Sequence, residues 1–367
     1  MTGIPTPGPH GRGGVTLKDV AKAAGVSVST ASRALAGNTM IGAETRARVL
    51  RTARRLNYVA NGLAQSMAGG GMRTLAFITN AFLGEPFARI AYGVDDVARE
   101  NHAVLLTNSA HEDMAAEWET IALLARQRVA GVLLVGSRTT SPEYRTHLAA
   151  CRDLLASVGA RLVMCGSPRI PGLDDIPTVA YEQRDGARRA TEALLQAGHR
   201  RIAFLGYDER STARERFAGF RDALASAGLY ADPRSALVTH SDNRGAALDA
   251  AVGRLLTMPD GRRPTAVVCV TDFAAYRVYS AARSLGLRIP EDLSVTGFDD
   301  LSGDDALLPR LSSVRVPYER IGERAAALAL DAPTTGSDDS NDCGGRTIHP
   351  VFPVEFVARE SIAPTAV

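Results

Sequence analysis

The sequence lacks the marks of several large functional classes. Its four cysteines (Cys151, Cys165, Cys269, Cys343) are scattered with no Cys-x-x-Cys pair, so neither a disulfide framework nor a zinc site is expected, and a reducing cytosol fits. No apolar run reaches the ~18 residues of a membrane-spanning helix. Residues 1–14 hold five glycines and three prolines but no apolar segment, and read as a disordered tail rather than a signal peptide or anchor. There is no Walker loop, no Gly-x-Gly-x-x-Gly after the first strand-like run, no Gly-x-Ser-x-Gly and no His-Glu-x-x-His. The seven histidines are dispersed without ligand spacing. Hence no catalytic site, cofactor or metal is expected, and the chain does not read as an enzyme. His199, in Gly198-His199-Arg200, reads as a loop or cap residue, and Cys165 and Cys269, inside apolar runs, as small buried hydrophobes.

What is present is an uneven distribution of charge. The 367 residues carry a formal charge of only +2, yet residues 15–73 contain nine Lys or Arg against Asp19 and Glu44 alone. The rest of the chain is correspondingly acidic. A small basic head on a larger body suggests a module that binds a polyanion.

In the head, Leu17, Val20, Ala21 and Ala24 recur at the spacing of one helix face. Thr16 and Asp19 form a capping signal before them, and Gly25 can end the helix in a left-handed conformation. Ser27 can cap a second short helix, residues 28–35, with Ala31 and Leu35 inward and Val28, Ser29, Ser32 and Arg33 outward. A third helix over residues 43–56 presents Val49, Ala53 and Leu56 as a buttress. Two short helices joined by a glycine turn make a helix-turn-helix, whose second helix enters the DNA major groove. Val28 can offer an apolar contact to a thymine methyl, Ser29 can donate or accept, and Arg33 can reach guanine or a phosphate.

From Thr74 onward, short apolar runs (75–78, 104–106, 132–135, 162–165, 202–205, 236–238, 267–270, 293–295) alternate with helical stretches (85–101, 115–128, 185–197, 212–227, 244–258, 273–285). That pattern indicates parallel sheets covered on both faces, and so many strands imply two doubly wound units with a ligand cleft beyond the strands' carboxyl ends.

Residues 15–35 (VTLKDVAKAAGVSVSTASRAL), then 44–49 (ETRARV) and Leu56-Asn57-Tyr58, resemble the headpiece of the lactose-repressor/purine-repressor (LacI/GalR) family. In the body, 198–204 (GHRRIAF), 216–220 (RFAGF), 293–300 (LSVTGFDD) and 357–361 (VARES) resemble its periplasmic-binding-protein-like effector domain. The resemblance covers about residues 15–361. It implies an α/β protein with a three-helix headpiece over 15–60, a hinge helix and linker over 61–73, and an effector-binding and dimerisation domain over 74–361, followed by a short tail. The first lobe is expected at about 74–173 and 302–331, and the second at about 176–300 and 345–361. By the same resemblance Val28, Ser29 and Arg33 read bases. Thr16, Thr30, Ser32 and Tyr58 meet the DNA backbone, and Asn61 opens the hinge segment. Met67 takes the place of a leucine that wedges between central base pairs, a role open to methionine. Gly42 stands where the family usually caps the third helix with Ser or Thr. Arg216 and Asp299 match the family's effector-gripping arginine and aspartate, and Arg210, Thr212, Thr271, Phe87 and His240 fall at further pocket positions.

The expected protein is thus a cytoplasmic, nucleoid-associated dimeric repressor. Its partners are a pseudo-palindromic double-stranded operator and a sugar, sugar phosphate or purine-like effector, with no membrane partner. A solute-binding protein without gene-regulatory role is the alternative, and a Rossmann-class enzyme is a more distant one. Met67→Ala is expected to preserve the fold while weakening specific binding and DNA bending; an unchanged bend angle in a circular-permutation gel assay removes the wedge role.

Overall fold

The computed structural model describes residues 15–36, 38–58, 73–80, 84–110, 112–240, 245–331 and 348–365. Asn61 and Met67 lie outside them. The chain divides into two compact units, Met1–Arg73 and Thr74–Val367.

The head contains α1 (Leu17–Ala24), α2 (Val28–Leu35) and α3 (Ala43–Arg55). Thr16 and Asp19 form a reciprocal capping box, with the Thr16 amide donating to Asp19 Oδ2 at 2.8 Å and the Asp19 amide donating to Thr16 Oγ1 at 3.4 Å. Gly25 ends α1 at φ 67°. Ser27 caps α2 by accepting from the Thr30 amide at 3.1 Å. Gly42, having no side chain, leaves α3 uncapped. The core is built from small residues, with Val20, Ala21, Ala24, Ala31, Ala34, Val49 and Ala53 buried and Leu35 and Leu56 packed at its edge. The helices can therefore pack closely in a unit of few residues.

The body opens with a six-stranded sheet of order β11-β5-β4-β3-β1-β2, formed by β1 (Arg73–Thr79), β2 (Ala103–Ser109), β3 (Gly131–Val135), β4 (Arg161–Cys165), β5 (Thr178–Tyr181) and β11 (Val351–Phe352). Helices α4 (Glu85–Glu100) and α11 (Tyr318–Leu330) cover one face; α5 (Met114–Arg126) and α6 (Pro142–Ala156) cover the other. The second sheet, of order β7-β6-β8-β9, consists of β6 (Ile202–Tyr207), β7 (Val238–His240), β8 (Ala266–Cys269) and β9 (Ser294–Thr296). Around it lie α7 (Gln183–Gln196), α8 (Ser211–Ser226), α9 (Gly245–Leu256) and α10 (Asp272–Ser284). Strands β10 (Ser313–Arg315) and β12 (Glu355–Val357) pair antiparallel.

Two lobe boundaries read from the sequence need correction. β5 pairs with β4 in the first sheet, so the chain leaves that lobe after Tyr181, not near residue 176. β11 pairs with β5 in the same sheet, so residues 351–352 belong to the first lobe rather than the second. Both strands are too short for a pattern to reveal them. Helices α6 and α11 also escaped the sequence reading.

The end of the chain is fastened to the second lobe. Buried His199 has Nδ1 2.9 Å from Thr265 Oγ1 and Nε2 2.9 Å from Ser294 Oγ and 3.0 Å from Ala363 O. Ser361 Oγ donates to Val295 O at 2.6 Å. His199, read from the sequence as a loop or cap residue, is thus a buried tie.

The closest helix crossing in the first lobe is that of α4 on α11. A Cβ at Gly93 would lie 2.0 Å from Glu319 O, and one at Gly322 would lie 2.1 Å from Ile90 O. Only glycine lets the two backbones meet. Alanine favours a helix by about 1 kcal/mol, but overpacking against backbone outweighs that gain. Gly322→Ala should lower stability by roughly 1–3 kcal/mol in a denaturant titration; an unchanged or higher midpoint would show that the helices part freely.

Candidate functional site

The outer face of α2 is open. Val28 is 42% exposed, and Ser29, Ser32 and Arg33 are exposed around it, while Thr30 is half-buried. Ser27 Oγ lies 2.9 Å from Ser29 Oγ and 2.8 Å from Thr30 Oγ1, so the cap also orients the first hydroxyls of this helix. Thr16 is exposed at the start of α1, and Tyr58 packs at the edge of the head's core. On α3, Arg51, Arg54 and Arg55 are exposed. An apolar tip, small hydroxyls and one guanidinium project from a short helix on a basic unit, which suits a DNA groove.

In the body, the carboxyl ends of the two sheets face one another. Arg216, on α8, is 2% exposed, and Asp299, beyond β9, is 3% exposed. Arg216 Nη2 donates to Asp299 Oδ1 at 3.3 Å and to Tyr181 Oη at 2.9 Å, and Nη1 donates to Val270 O. Its guanidinium stacks 3.6 Å from the centre of the Phe298 ring. Tyr318 Oη donates to Asp299 Oδ1 at 2.7 Å. Burial pushes the Asp299 carboxyl above its ordinary range, against the opposing pull of Arg216 and Tyr318. The structure brings together two residues that the sequence named separately as effector contacts, a pairing that the sequence reading did not foresee. The sequence reading also missed Tyr181 and Tyr318, which reach the pair from the first sheet and from α11.

The lobes also meet where α8 begins. Arg210, its cap residue, makes no side-chain cap. The free amides of the first turn find acceptors across the cleft instead: Ser211 N donates to Arg138 O at 2.9 Å, and Thr212 N to Ser137 Oγ at 3.2 Å. Arg138 N donates back to Ser211 Oγ at 3.2 Å. Arg210 Nη2 donates to Glu112 Oε2 at 2.8 Å, and Ser302 Oγ donates to Glu85 Oε2 at 2.7 Å.

Arg138 is anchored by a buried network that the sequence did not reveal. Its guanidinium donates to the Asn80 side chain and to Ile78 O, and lies 3.9 Å from Glu117 Oε2. Tyr144 Oη donates to Glu117 Oε1 at 3.1 Å, and His147 Nε2 lies 2.9 Å from the same oxygen. Burial raises the Glu117 carboxyl, but His147, Arg138 and Tyr144 outweigh it and hold the group below its usual range. Arg138 follows the end of β3, a position that strand-end reasoning could have flagged. Glu117 and His147 come from different helices and have no common spacing.

The other expected pocket residues are spread around the cleft. Phe87 lies against Gly136, where a Cβ would be 2.9 Å from its ring and φ is +91°. Thr271 Oγ1 accepts from the Ala274 amide at 3.3 Å as the cap of α10. His240 is exposed, with Nε2 2.9 Å from Pro233 O and its ring edge-on to Tyr207.

A helix-turn-helix head and a body of two parallel α/β lobes closing on a polar cleft define a DNA-binding protein with a solute-binding type of body. The family profile described as bacterial regulatory proteins, lacI family, matches residues 16–61, and that of a periplasmic binding protein-like domain matches 191–362. The HTH-type transcriptional repressor PurR of Pectobacterium carotovorum subsp. carotovorum (strain PC1) is 30% identical over 349 residues, covering 95% of this chain and 97% of the relative. The ribose operon repressor of Haemophilus influenzae is 29% identical over 316 residues, covering 86% and 91%. Among solved structures, the complex of the transcriptional regulator CelR with cellobiose is 28% identical with a TM-score of 0.66, covering 95% of this chain and 99% of that one. The lac repressor dimer bound to operator and an anti-inducer shares the fold at 24% identity, with a TM-score of 0.79 over 96% of this chain and 100% of that one. The chain belongs to the lacI family of bacterial regulatory proteins.

Beside the cleft, two carboxyl groups share a buried site. Asp272 accepts from the Leu301 amide at 3.1 Å and from Ser313 Oγ at 2.6 Å; Tyr276 Oη donates to Asp304 Oδ1 at 2.8 Å. Burial pushes both carboxyls up, Asp304 to about 6, and a proton shared between them relieves the repulsion. The folded state therefore holds this proton more tightly than the unfolded chain. The resulting stability is full below the unfolded carboxylate range and declines as pH rises through about 6. Asp304→Asn supplies the hydrogen permanently and should raise the unfolding midpoint at pH 7 by an amount of order 1 kcal/mol. The gain should vanish below pH ~4, near the ordinary aspartate value; a gain independent of pH would mean that no proton is shared.

Proposed function

We propose that the protein is a ligand-responsive transcriptional repressor that binds a pseudo-palindromic operator as a dimer and takes a small-molecule effector in the cleft between the lobes. One observation carries this reading: an exposed helix bearing Val28, Ser29 and Arg33 stands on a basic helix-turn-helix unit, in the same chain as a two-lobed body. The relatives named as repressors support it. Val28, Ser29 and Arg33 read base edges, while Thr16, Thr30, Ser32 and Tyr58 hold the backbone. Asn61 belongs to the hinge, and Met67 is its wedge.

In the body, Arg210, Thr212, Thr271, Phe87 and His240 ring the cleft, and the Arg216–Asp299 pair ties its two sides together. An effector acts only through its different affinity for the open and closed lobes, a coupling that is typically ~1–3 kcal/mol. The chain has no catalytic role in this reading and works in the cytoplasm at the nucleoid. Among the described residues no helix is long and apolar enough to cross a membrane.

The test is selection of duplexes from a random library by the full chain at low salt. A palindromic consensus supports the reading, and the absence of enrichment leaves a solute binder. Exchanging Val28 and Ser29 for other small side chains should change the preferred half-site by ~1–3 kcal/mol per altered base pair while leaving thermal unfolding unchanged. An unaltered consensus would remove these two residues from base reading.

A further inference from the structure

The cations of this chain are almost all guanidiniums. Of its 42 basic residues only Lys18 and Lys22 are lysines, and no lysine occurs after Lys22. Both stand on α1 of the head, one turn apart. The two kinds of cation differ in one chemical respect. A guanidinium keeps its proton in a protein, whereas an amine can lose it and is then a nucleophile. A reagent that attacks amines therefore finds side-chain targets in the head alone.

The fold leaves both amines accessible. α1 buries Val20, Ala21 and Ala24, while Lys18 and Lys22, at i and i+4, share another face and are exposed. The neighbouring carboxylate is already committed: Asp19 Oδ2 accepts from the Thr16 amide at 2.8 Å and from Thr16 Oγ1 at 2.7 Å. Arginines of the head, by contrast, bind its frame. Arg48 Nε donates to Ala24 O at 3.2 Å, and Arg46 Nη2 to Asn38 O at 2.5 Å. Loss of the lysine charges thus leaves the capping box and the small-residue core as they are.

The surroundings select the reagent. Residues 15–73 carry nine cations against Asp19 and Glu44, and such a surface concentrates anions. In a helix-turn-helix the first helix crosses the DNA backbone. An amine on α1 can therefore meet a phosphate of the duplex or, off DNA, an anionic acyl donor.

We propose that Lys18 and Lys22 form an acylation site, and that an acyl phosphate acting there weakens the hold of the head on DNA. The neutral Nζ attacks the acyl carbonyl carbon. A C–N bond forms, the C–O bond to phosphate breaks, and the amine proton leaves with the phosphate. The product is an uncharged amide. Each acylation removes one positive charge from the helix that crosses the backbone, and with it the release of a counterion. Bound DNA covers the same amines, so the reaction acts on the free protein. This rests on the reading of the head as a DNA-binding unit.

The experiment treats the full chain with acetyl phosphate, maps the products by peptide mass spectrometry and measures anisotropy on two duplexes, one enriched by selection and one of random sequence. Lys18 and Lys22 should carry acetyl groups. Binding to both duplexes should fall by the same factor, about tenfold at low salt, and the slope of log affinity against log salt should drop by about one for each modified lysine. Thermal unfolding should not move. The K18R/K22R variant keeps both charges and its terminal amine; treatment should leave its affinity at its own untreated value. Absence of acetyl groups from both lysines overturns the proposal. So does unchanged binding after acetylation, an equal loss in K18R/K22R, or a loss confined to the enriched duplex. The two claims separate cleanly. Weakened binding to random DNA with no enriched sequence sinks only the sequence-specific regulator, and an enriched sequence indifferent to acetylation sinks only the acylation site.

Discussion

A helix that starts at the edge of a cleft carries amides with no partners of their own, and something must meet them. Here the opposite lobe does. Ser137 and Arg138 of the first lobe satisfy the opening turn of α8 in the second, through contacts of 3.2 and 2.9 Å. The closed arrangement follows from that requirement. Water can meet the same amides when the lobes part, so the two states differ by the modest balance of exchanged hydrogen bonds. A body that changes shape on binding a small molecule needs such a balance.

The deeper contacts behave differently. Arg216 and Asp299 have left water, and each is surrounded by partners from both lobes. Removing one member of such a pair leaves an uncompensated charge, a loss of about 3–5 kcal/mol. The cleft therefore has a firm interior beside the crossings of the chain and a yielding outer side near α8. Glu117, His147 and Tyr144 stiffen the first-lobe wall of the yielding side by fixing Arg138.

Much of this was legible in the sequence where local signals are strong. The head was readable nearly residue by residue, because caps, the glycine turn and the 3.6 period all agree over 40 residues of helices and turns. The alternation of strand and helix gave the class of the body. The lobe boundaries were not readable, because β5 and β11 have four and two residues and derive their identity from partners far along the chain. Helices α6 and α11 bury small residues such as Cys151, Ala325, Ala326 and Ala329 among larger ones, so their apolar faces stand out less than those of the other helices. In the cleft, Arg216 and Asp299 stood out through family likeness. Glu117, Tyr144, His147, Tyr181 and Tyr318 did not, since burial and pairing, not spacing, bring them together.

The fastening of the final residues has a bearing on how the molecule is made. Each lobe is assembled from separated stretches, and β11, β12 and the Ser361–Ala363 strip that lies along β9 leave the ribosome after the lobes' other described elements. The three described helices of the head are complete by Arg55. A half-synthesised molecule can thus own a finished groove-reading unit while both lobes still lack strands, so the capacity to meet nucleic acid precedes the capacity to be governed by a metabolite.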